Sequence, residues 1–195
     1  MEKVEINKQA RLSEHLTSSS VATLGHSCVP AVASDQRSSA NELDGSRLSP
    51  HFTLAEMCKT SAKIADGNIP SHVHIENLRR LCSWLEMLRD EWNRRYGEGD
   101  DPIIINSGYR SEAVNKAIGG AKGSNHLTGC AADIRVAGME QALRYSVILL
   151  DISDESREDF DELLIERSPK GGYWLHFAVR PSDNRRKVRL IQSLR

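Results

Sequence analysis

A short stretch from Ser124 to Asp133 contains the residue types of a metal site. It reads Ser-Asn-His-Leu-Thr-Gly-Cys-Ala-Ala-Asp. His126 offers a nitrogen ligand and Asp133 an anionic oxygen ligand, and both types bind zinc in proteins. Gly129 permits a reversal of the backbone between them, because glycine adopts conformations that are closed to other residues. The stretch therefore predicts half of a zinc site.

A third ligand has to come from elsewhere in the chain, and His176 is the best candidate. It lies in Tyr-Trp-Leu-His-Phe-Ala-Val, where side chains alternate as on a half-buried strand, and it shares a face with Trp174 and Ala178. Two histidines and one carboxylate leave a fourth zinc position open, which is typical of catalytic sites. An open position lets zinc activate water and polarise a peptide carbonyl, so the pattern predicts a hydrolase.

These residues resemble peptidase family M15, the zinc peptidases of the D-alanyl-D-alanine carboxypeptidase type, and especially its phage-like and Bacteroides-like members. The central motif of the resemblance is Ser124-x-His126-x-x-Gly129-x-Ala131-x-Asp133, and the closing motif is Trp174-Leu175-His176. Two further segments are similar to the family, Phe52 to Met57 and Ser107-Gly108-Tyr109-Arg110-Ser111 with the following Asn115 and Gly119-Gly120. The similar segments run in the family's order from about Ser49 to about Val179.

The resemblance implies a peptidase with Zn2+ held by His126, Asp133 and His176. Its implied substrate is the stem peptide of peptidoglycan, cleaved as by a D-alanyl-D-alanine carboxypeptidase. The alternatives are an endopeptidase that cuts another stem-peptide bond, as in a phage-type lysin, and a non-catalytic zinc module that binds the cell wall. Arg110 is expected to bind substrate and to stabilise the charge that develops on the scissile carbonyl. Ser124 either contacts substrate or caps its loop.

The general base departs from the family pattern. Most relatives have an acidic residue three positions before the closing histidine, but this chain has Tyr173 there. Glu166 is the first choice for the base, because it follows Phe-Asp-Glu-Leu-Leu as in the phage-like branch, and Asp161 and Glu162 are lesser choices. Glu166 would face the metal if it lay directly opposite His176 on a neighbouring antiparallel strand. The alternative is that Glu166 caps the hairpin and pairs with an arginine.

The hydrophobic pattern predicts the elements that position these residues. Thr53 and Glu56 form a capping box that predicts a short helix, and apolar residues recur every three or four positions between His74 and Tyr96, as in a long amphipathic helix. Further helices are predicted at 112–118 and 139–152, and strands at 102–105, 163–166, 174–179 and 188–191. The predicted fold is α+β, with helices packed on a small antiparallel sheet that carries the zinc site.

Composition indicates one domain preceded by an extra segment. The 195 residues are 39% hydrophobic with a formal charge of −1, which predicts one core and no nucleic-acid partner. Residues 1–48 are rich in Ser, Ala, Asn and Asp, which predicts a disordered segment before a zinc peptidase domain at 49–195. Four scattered cysteines favour buried thiols over a disulfide scaffold.

The sequence contains no strong membrane or export signal. No stretch has the ~18 consecutive apolar residues of a transmembrane helix, so no integral membrane segment is predicted. The run 21–33 ends in small residues, but polar residues interrupt it, and a signal peptide is the weaker interpretation. Localisation is therefore left open. We expect the protein to act as a monomer.

Overall fold

Helices and one five-stranded sheet make up the fold over residues 46–65 and 67–192, which the computed structural model describes. The helices are α1 (Leu54–Met57), α2 (His72–Arg95), α3 (Glu112–Ala117) and α4 (Met139–Ser156). The strands are β1 (Ile105–Ser107), β2 (Ala131–Arg135), β3 (Glu162–Arg167), β4 (Tyr173–Ala178) and β5 (Lys187–Gln192). A 3-10 turn covers Asn125–Thr128. The predicted α+β class is confirmed.

The strand order in the sheet is β1-β2-β4-β3-β5. The first four strands pair antiparallel, as the sequence predicts, whereas β5 pairs parallel with β3. The sheet is therefore mixed, because residues 179–186 carry the chain past β3 to its free edge. Two backbone hydrogen bonds fix this crossing, from Arg186 N–H to the Phe160 carbonyl at 2.8 Å and from Lys187 N–H to the Asp161 carbonyl at 3.0 Å.

The core lies between α2, α4 and one face of the sheet. The apolar stripe of α2 is buried as its spacing predicts, and it comprises Leu78, Leu81, Leu85 and Leu88. Trp84 of the same helix packs against Phe177 of β4 with ring centroids 5.6 Å apart. A fully buried leucine contributes roughly 1.5–3 kcal/mol by leaving water. This packing leaves the opposite face of β2, β4 and β3 free to carry polar side chains.

The helix starts follow from their capping residues. The Thr53 hydroxyl accepts the Glu56 N–H at 3.2 Å, which confirms the predicted start of α1. Ser71 caps α2 by accepting the His74 N–H at 3.4 Å, so this helix starts two residues earlier than its apolar pattern indicates. Neither cap is a functional group, and their effect is to fix where the long helix meets the sheet.

The beginning of the described chain belongs to this core. Leu48 is 7% exposed and packs in the core, and the Leu54 N–H donates to the Ser46 carbonyl at 2.9 Å. Disorder is predicted for residues 1–48, of which residues 1–45 lie outside the described residues. Residues 46–48 are described, and Ser46 and Leu48 make the contacts given above. Within the described part, no helix has the length and apolar character that crossing a membrane requires.

Candidate metal centre

Strands β2 and β4 bring Asp133 and His176 together. The two residues are direct partners in the antiparallel register, so their side chains project from the same face of the sheet. Asp133 Oδ1 lies 2.9 Å from His176 Nδ1. The neighbouring pairs Ala132 with Phe177 and Ile134 with Leu175 point to the opposite face and are buried in the core. Alternation along two strands thus holds a carboxylate and an imidazole in place.

The 3-10 turn before β2 supplies His126. The turn begins at Ser124, whose hydroxyl accepts the His126 N–H at 3.4 Å, and it ends at Gly129 with a φ of 72°. A Cβ at Gly129 would lie 2.6 Å from the His74 carbonyl oxygen, so glycine is required both by the left-handed backbone and by the space. His126 is consequently placed over the strand pair with 2% of its surface exposed.

The three side chains converge with the spacing of zinc ligands. His126 Nε2 lies 3.2 Å from Asp133 Oδ1 and 3.3 Å from His176 Nδ1. Ligand atoms ~2.0–2.2 Å from one zinc ion at a tetrahedral angle would be about 3.3–3.6 Å apart. A small outward movement of these atoms would therefore accommodate the ion. Within residues 46–65 and 67–192, this is the one group of His, Cys, Asp and Glu that meets the geometry of a metal site.

Both imidazole rings are oriented by a contact on the side away from the centre. His126 Nδ1 lies 2.6 Å from the Gly108 carbonyl oxygen, so Nδ1 carries the proton and Nε2 presents its lone pair. His176 Nε2 lies 3.5 Å from Glu162 Oε2, and Lys187 Nζ donates to Glu162 Oε1 at 2.8 Å. Contacts of this kind fix the tautomer of a ligating histidine. The sequence pattern indicates neither contact in advance.

The charges at the centre suit a cation. Burial lowers the pKa of His126, which keeps this imidazole neutral as a metal ligand must be. Burial raises the pKa of Asp133, but the two histidines outweigh that effect and hold it well below its usual value. Burial likewise lowers the pKa of His176, yet hydrogen bonds to Asp133 and Glu162 raise it overall to about 9. The proton on His176 thus lies where a metal ion would replace it.

Arg110 lies beside this centre and not on the open surface. It follows β1, which pairs with β2 so that Ser107 lies opposite Asp133. The Arg110 guanidinium donates from Nε to Ser107 Oγ at 2.8 Å and from Nη2 to Asp133 Oδ2. Among the described residues, Arg110 Nη1 has no hydrogen-bond partner. Asp133 therefore offers one oxygen to the two histidines and the other to a fixed cation.

Glu166 lies on the same face as His176, although the two are not direct partners. In the β3–β4 pair Leu164 is opposite His176, and Glu166 is opposite Trp174. The direct pairing that the sequence raises does not occur, but an offset of two residues keeps the same face. Burial raises the pKa of Glu166, with smaller effects from His176, Asp133 and Arg110. In the described part of the chain Glu166 has no ion-pair partner, so the alternative of an arginine pair is not observed.

Asp161 and Glu162, the lesser choices for the base, are both held by cations. Asp161 is fully buried and accepts hydrogen bonds from Arg185 at 2.6 and 2.7 Å and from Asn125 at 2.7 Å. Glu162 contacts His176 and Lys187, and these contacts lower its pKa to about 2. The placement of Glu162 follows from its alternation with Leu164 and Glu166, a signal that was present in the sequence.

The comparison with known families agrees with this geometry. The profile of the family described as Peptidase M15 matches residues 50–149, just over half of the chain. The chain belongs to the peptidase M15 family. The matched part contains Arg110, Ser124, His126 and Asp133, whereas Glu166 and His176 follow it. In this M15 protein, His176 reaches the group through the pairing of β4 with β2, outside the part that the family profile matches.

A curated relative of this M15 protein is named Zinc D-Ala-D-Ala carboxypeptidase, from Streptomyces albus G. The two are 31% identical over 84 residues, which is 43% of this chain and 31% of the relative. The aligned part thus spans about a third of the relative's length. Family membership and side-chain geometry thus agree on a group of His and Asp residues that could hold a metal ion.

Proposed function

We propose that this zinc metallopeptidase cleaves the stem peptides of peptidoglycan as a D-alanyl-D-alanine carboxypeptidase. The observation that carries the proposal is a centre of three side chains, His126, Asp133 and His176, whose spacing fits zinc with an open fourth position. The reaction is supported by a relative that bears this name. Zinc in such a centre would supply an activated water molecule and polarise the scissile carbonyl.

Glu166 is proposed as the general base. Its carboxylate shares the face of His176, has no counter-ion among the described residues, and has a pKa raised by burial. A raised pKa brings a carboxylate closer to the pH at which it both accepts and returns a proton. Glu166 would take one proton from the attacking water and deliver it to the leaving amine. The remaining hydroxyl would bond to the carbonyl carbon while the carbon–nitrogen bond breaks, and the new carboxyl group then gives its proton to solvent, so that a carboxylate and a free amine result.

Arg110 is proposed to hold the substrate. Nε and Nη2 of its guanidinium are fixed by Ser107 and Asp133, and Nη1 is left to donate to a carbonyl or carboxylate oxygen of the peptide. Donors that are fixed before the reaction stabilise developing negative charge without a cost of reorganisation. Ser124 has the capping contact described for the turn, and a further contact from its hydroxyl to substrate is part of the same proposal.

Product analysis tests this proposal. The zinc-loaded protein is incubated with purified muropeptides, and the products are separated and identified by mass spectrometry, with His176→Ala as the matched control. Release of free D-alanine from pentapeptide stems, absent in the control, is the expected result. Two peptide fragments without free D-alanine would overturn the carboxypeptidase assignment in favour of an endopeptidase. Binding of muropeptide without any product would identify a non-catalytic module.

A further inference from the structure

Hydrogen bonds and close packing hold the backbone around Arg110. The Tyr109 N–H donates to the Met57 carbonyl at 2.7 Å, and the Arg110 N–H donates to the His126 carbonyl at 3.0 Å. Gly108 packs so closely against Met57 that a Cβ there would lie 2.4 Å from the Met57 carbonyl oxygen. The segment that presents the guanidinium is therefore rigid, although it lies outside regular secondary structure.

Asn68 completes this arrangement from a distant part of the sequence. It lies between α1 and α2, and it is 8% exposed. Its Nδ2 donates to the Tyr109 carbonyl at 2.8 Å and to the Cys58 carbonyl at 2.8 Å. Its Oδ1 accepts the Ser111 N–H at 2.7 Å. One buried amide thus holds the residue before Arg110 and the residue after it.

We infer that Asn68 is a positioning residue of this peptidase, which aims the Arg110 guanidinium at Asp133 and at the substrate. Asn68 has no hydrogen bond to His126, Asp133 or His176. It acts on Arg110 through the backbone of the two neighbouring residues, Tyr109 and Ser111. The inference rests on the proposed role of Arg110. A displacement of about 1 Å in a catalytic group can cost ~10²-fold in rate, so a loose backbone here would have a measurable effect.

The chemistry of the site requires an asparagine. The three partners of Asn68 are two carbonyl oxygens and one N–H, so the side chain must be both donor and acceptor. Aspartate has almost the same shape and would keep the bond from Ser111, but it has no proton to donate and would place a charged oxygen beside the two carbonyl oxygens. Alanine removes all three bonds without adding a charge. Serine is neutral and has a hydroxyl that can replace one of them, so serine and alanine weaken the hold on Arg110 in steps.

Asn93 provides a matched control. Its Nδ2 donates to the Arg89 carbonyl at 2.9 Å and to the Asp101 carbonyl at 3.0 Å, and its Oδ1 accepts the Asp101 N–H at 2.7 Å. Asn93 thus has the same kinds of partner as Asn68, two carbonyl oxygens and one N–H. It lies near the end of α2 and has no hydrogen bond to the metal centre. Asn93→Ala thus reproduces the loss of an asparagine that binds the backbone, at a half-buried position that has no contact with the Arg110 segment.

The test is a double-mutant cycle of Asn68→Ala and Arg110→Ala in the full chain, with two readouts. Zinc affinity is measured by chelator competition, and kcat is measured on muropeptide with saturating zinc. Each single variant should weaken zinc binding by about 10-fold, as expected when a contact behind a metal ligand is lost. Each should also lower kcat by about 10–100-fold. Asn68→Ala should add less than about twofold to either effect when Arg110 is already alanine.

Several outcomes would overturn the inference. Additive losses from Asn68→Ala and Arg110→Ala would show that Asn68 does not act through Arg110. Equal losses in Asn93→Ala would show that the effect is one of general stability. Should Asn68→Ala not fold, Asn68→Ser takes its place in the same cycle with a smaller loss expected. If Arg110→Ala alone changes neither readout, the proposed role of Arg110 fails together with the inference. If the parent releases no product, the proposed substrate fails, and the zinc affinities still decide whether Asn68 acts through Arg110.

Discussion

Two buried aspartates, Asp133 and Asp161, show how the same residue type serves two purposes in this protein. The Asp161 side chain is fully buried and is met by Arg185 at 2.6 Å, by Arg180 at 3.5 Å and by Asn125. The Asp133 side chain is 13% exposed. Its Oδ1 contacts His126 and His176, and its Oδ2 contacts Arg110. Both carboxylates have pKa values below the usual range.

The difference lies in whether the partners can give up a proton. Arginine stays charged, so the pairs with Arg180 and Arg185 neutralise Asp161 permanently and leave no place for a metal. Histidine can give up its proton to a metal ion and then offers a lone pair, so Oδ1 of Asp133 faces partners that can share a cation with it. A buried carboxylate among histidines therefore indicates a metal centre, and one among arginines indicates a structural ion pair.

The first prediction removes each carboxylate in turn. Asp133→Ala should abolish stoichiometric zinc binding and reduce turnover to background, because only two protein ligands remain. Asp161→Asn should keep its zinc, since Asp161 touches no ligand side chain. Metal analysis after gel filtration measures both. Equal loss of zinc in the two variants would break the distinction between a metal centre and an ion pair.

The second prediction concerns the carboxylates of β3 that face the centre. Glu166→Gln should retain zinc and lower turnover by at least ~10²-fold, since the amide cannot accept a proton. Glu162→Gln should weaken zinc affinity by about 10-fold through His176 and lower turnover less at saturating zinc. Steady-state kinetics at saturating zinc separates the two. Near-normal hydrolysis by Glu166→Gln would transfer the role of base to Glu162.

The third prediction is a loss of stability without a loss of function. Asp161→Asn removes the carboxylate that Arg180 and Arg185 share, although Arg185 keeps Glu162 at 3.1 Å, and we expect a cost of about 1–3 kcal/mol in the free energy of unfolding. The arginines are partly exposed, which limits the cost because water replaces part of the lost interaction. Urea unfolding of the zinc-free protein gives the value. A change below about 0.5 kcal/mol would show that the Asp161 pairs contribute nothing to stability.

The smallest effect is expected outside both carboxylate sites. All the contacts described for Asp133 and Asp161 lie within residues 46–192. From their composition we expect residues 1–45 to contribute little to the stability of the domain. A chain that starts at Ser46 should unfold within about 0.5 kcal/mol of the parent. Starting at Ser49 should cost more, because it removes the buried Leu48. A large loss from the shorter deletion alone would show that the segment supports the domain.

The convergence of His126, Asp133 and His176 could be predicted because the signals for it are local. His126, Gly129 and Asp133 lie within eight residues of one another, and strand alternation was enough to place His176 on a shared face. To predict the position of Glu166 one needs the register of β3 against β4, which depends on the turn that joins these strands. Ser168 N–H donates to the Gly172 carbonyl at 2.8 Å and closes the hairpin there, which sets Glu166 opposite Trp174. No pattern in the sequence gives that closure.

Contacts between distant segments were beyond the reach of the sequence for the same reason. The parallel pairing of β5, the bond from Arg110 to Asp133 and the clamp by Asn68 each join parts of the chain whose proximity only the fold determines. Asn68 lies in an irregular stretch where an asparagine has no periodicity to reveal its partners. The residues of such a site can be predicted from their spacing in the sequence, whereas the groups that orient them are identified only from the three-dimensional structure.

The central claim is that His126, Asp133 and His176 hold one zinc ion, and anomalous diffraction from crystals of the zinc-loaded protein tests it most directly. The account predicts a single peak at the zinc edge, ~2.0–2.2 Å from His126 Nε2, Asp133 Oδ1 and His176 Nδ1. It also predicts that Arg110 still contacts Asp133 Oδ2 and that Asp161 has no metal beside it. A peak elsewhere, or one with Glu162 in place of Asp133, would contradict the account.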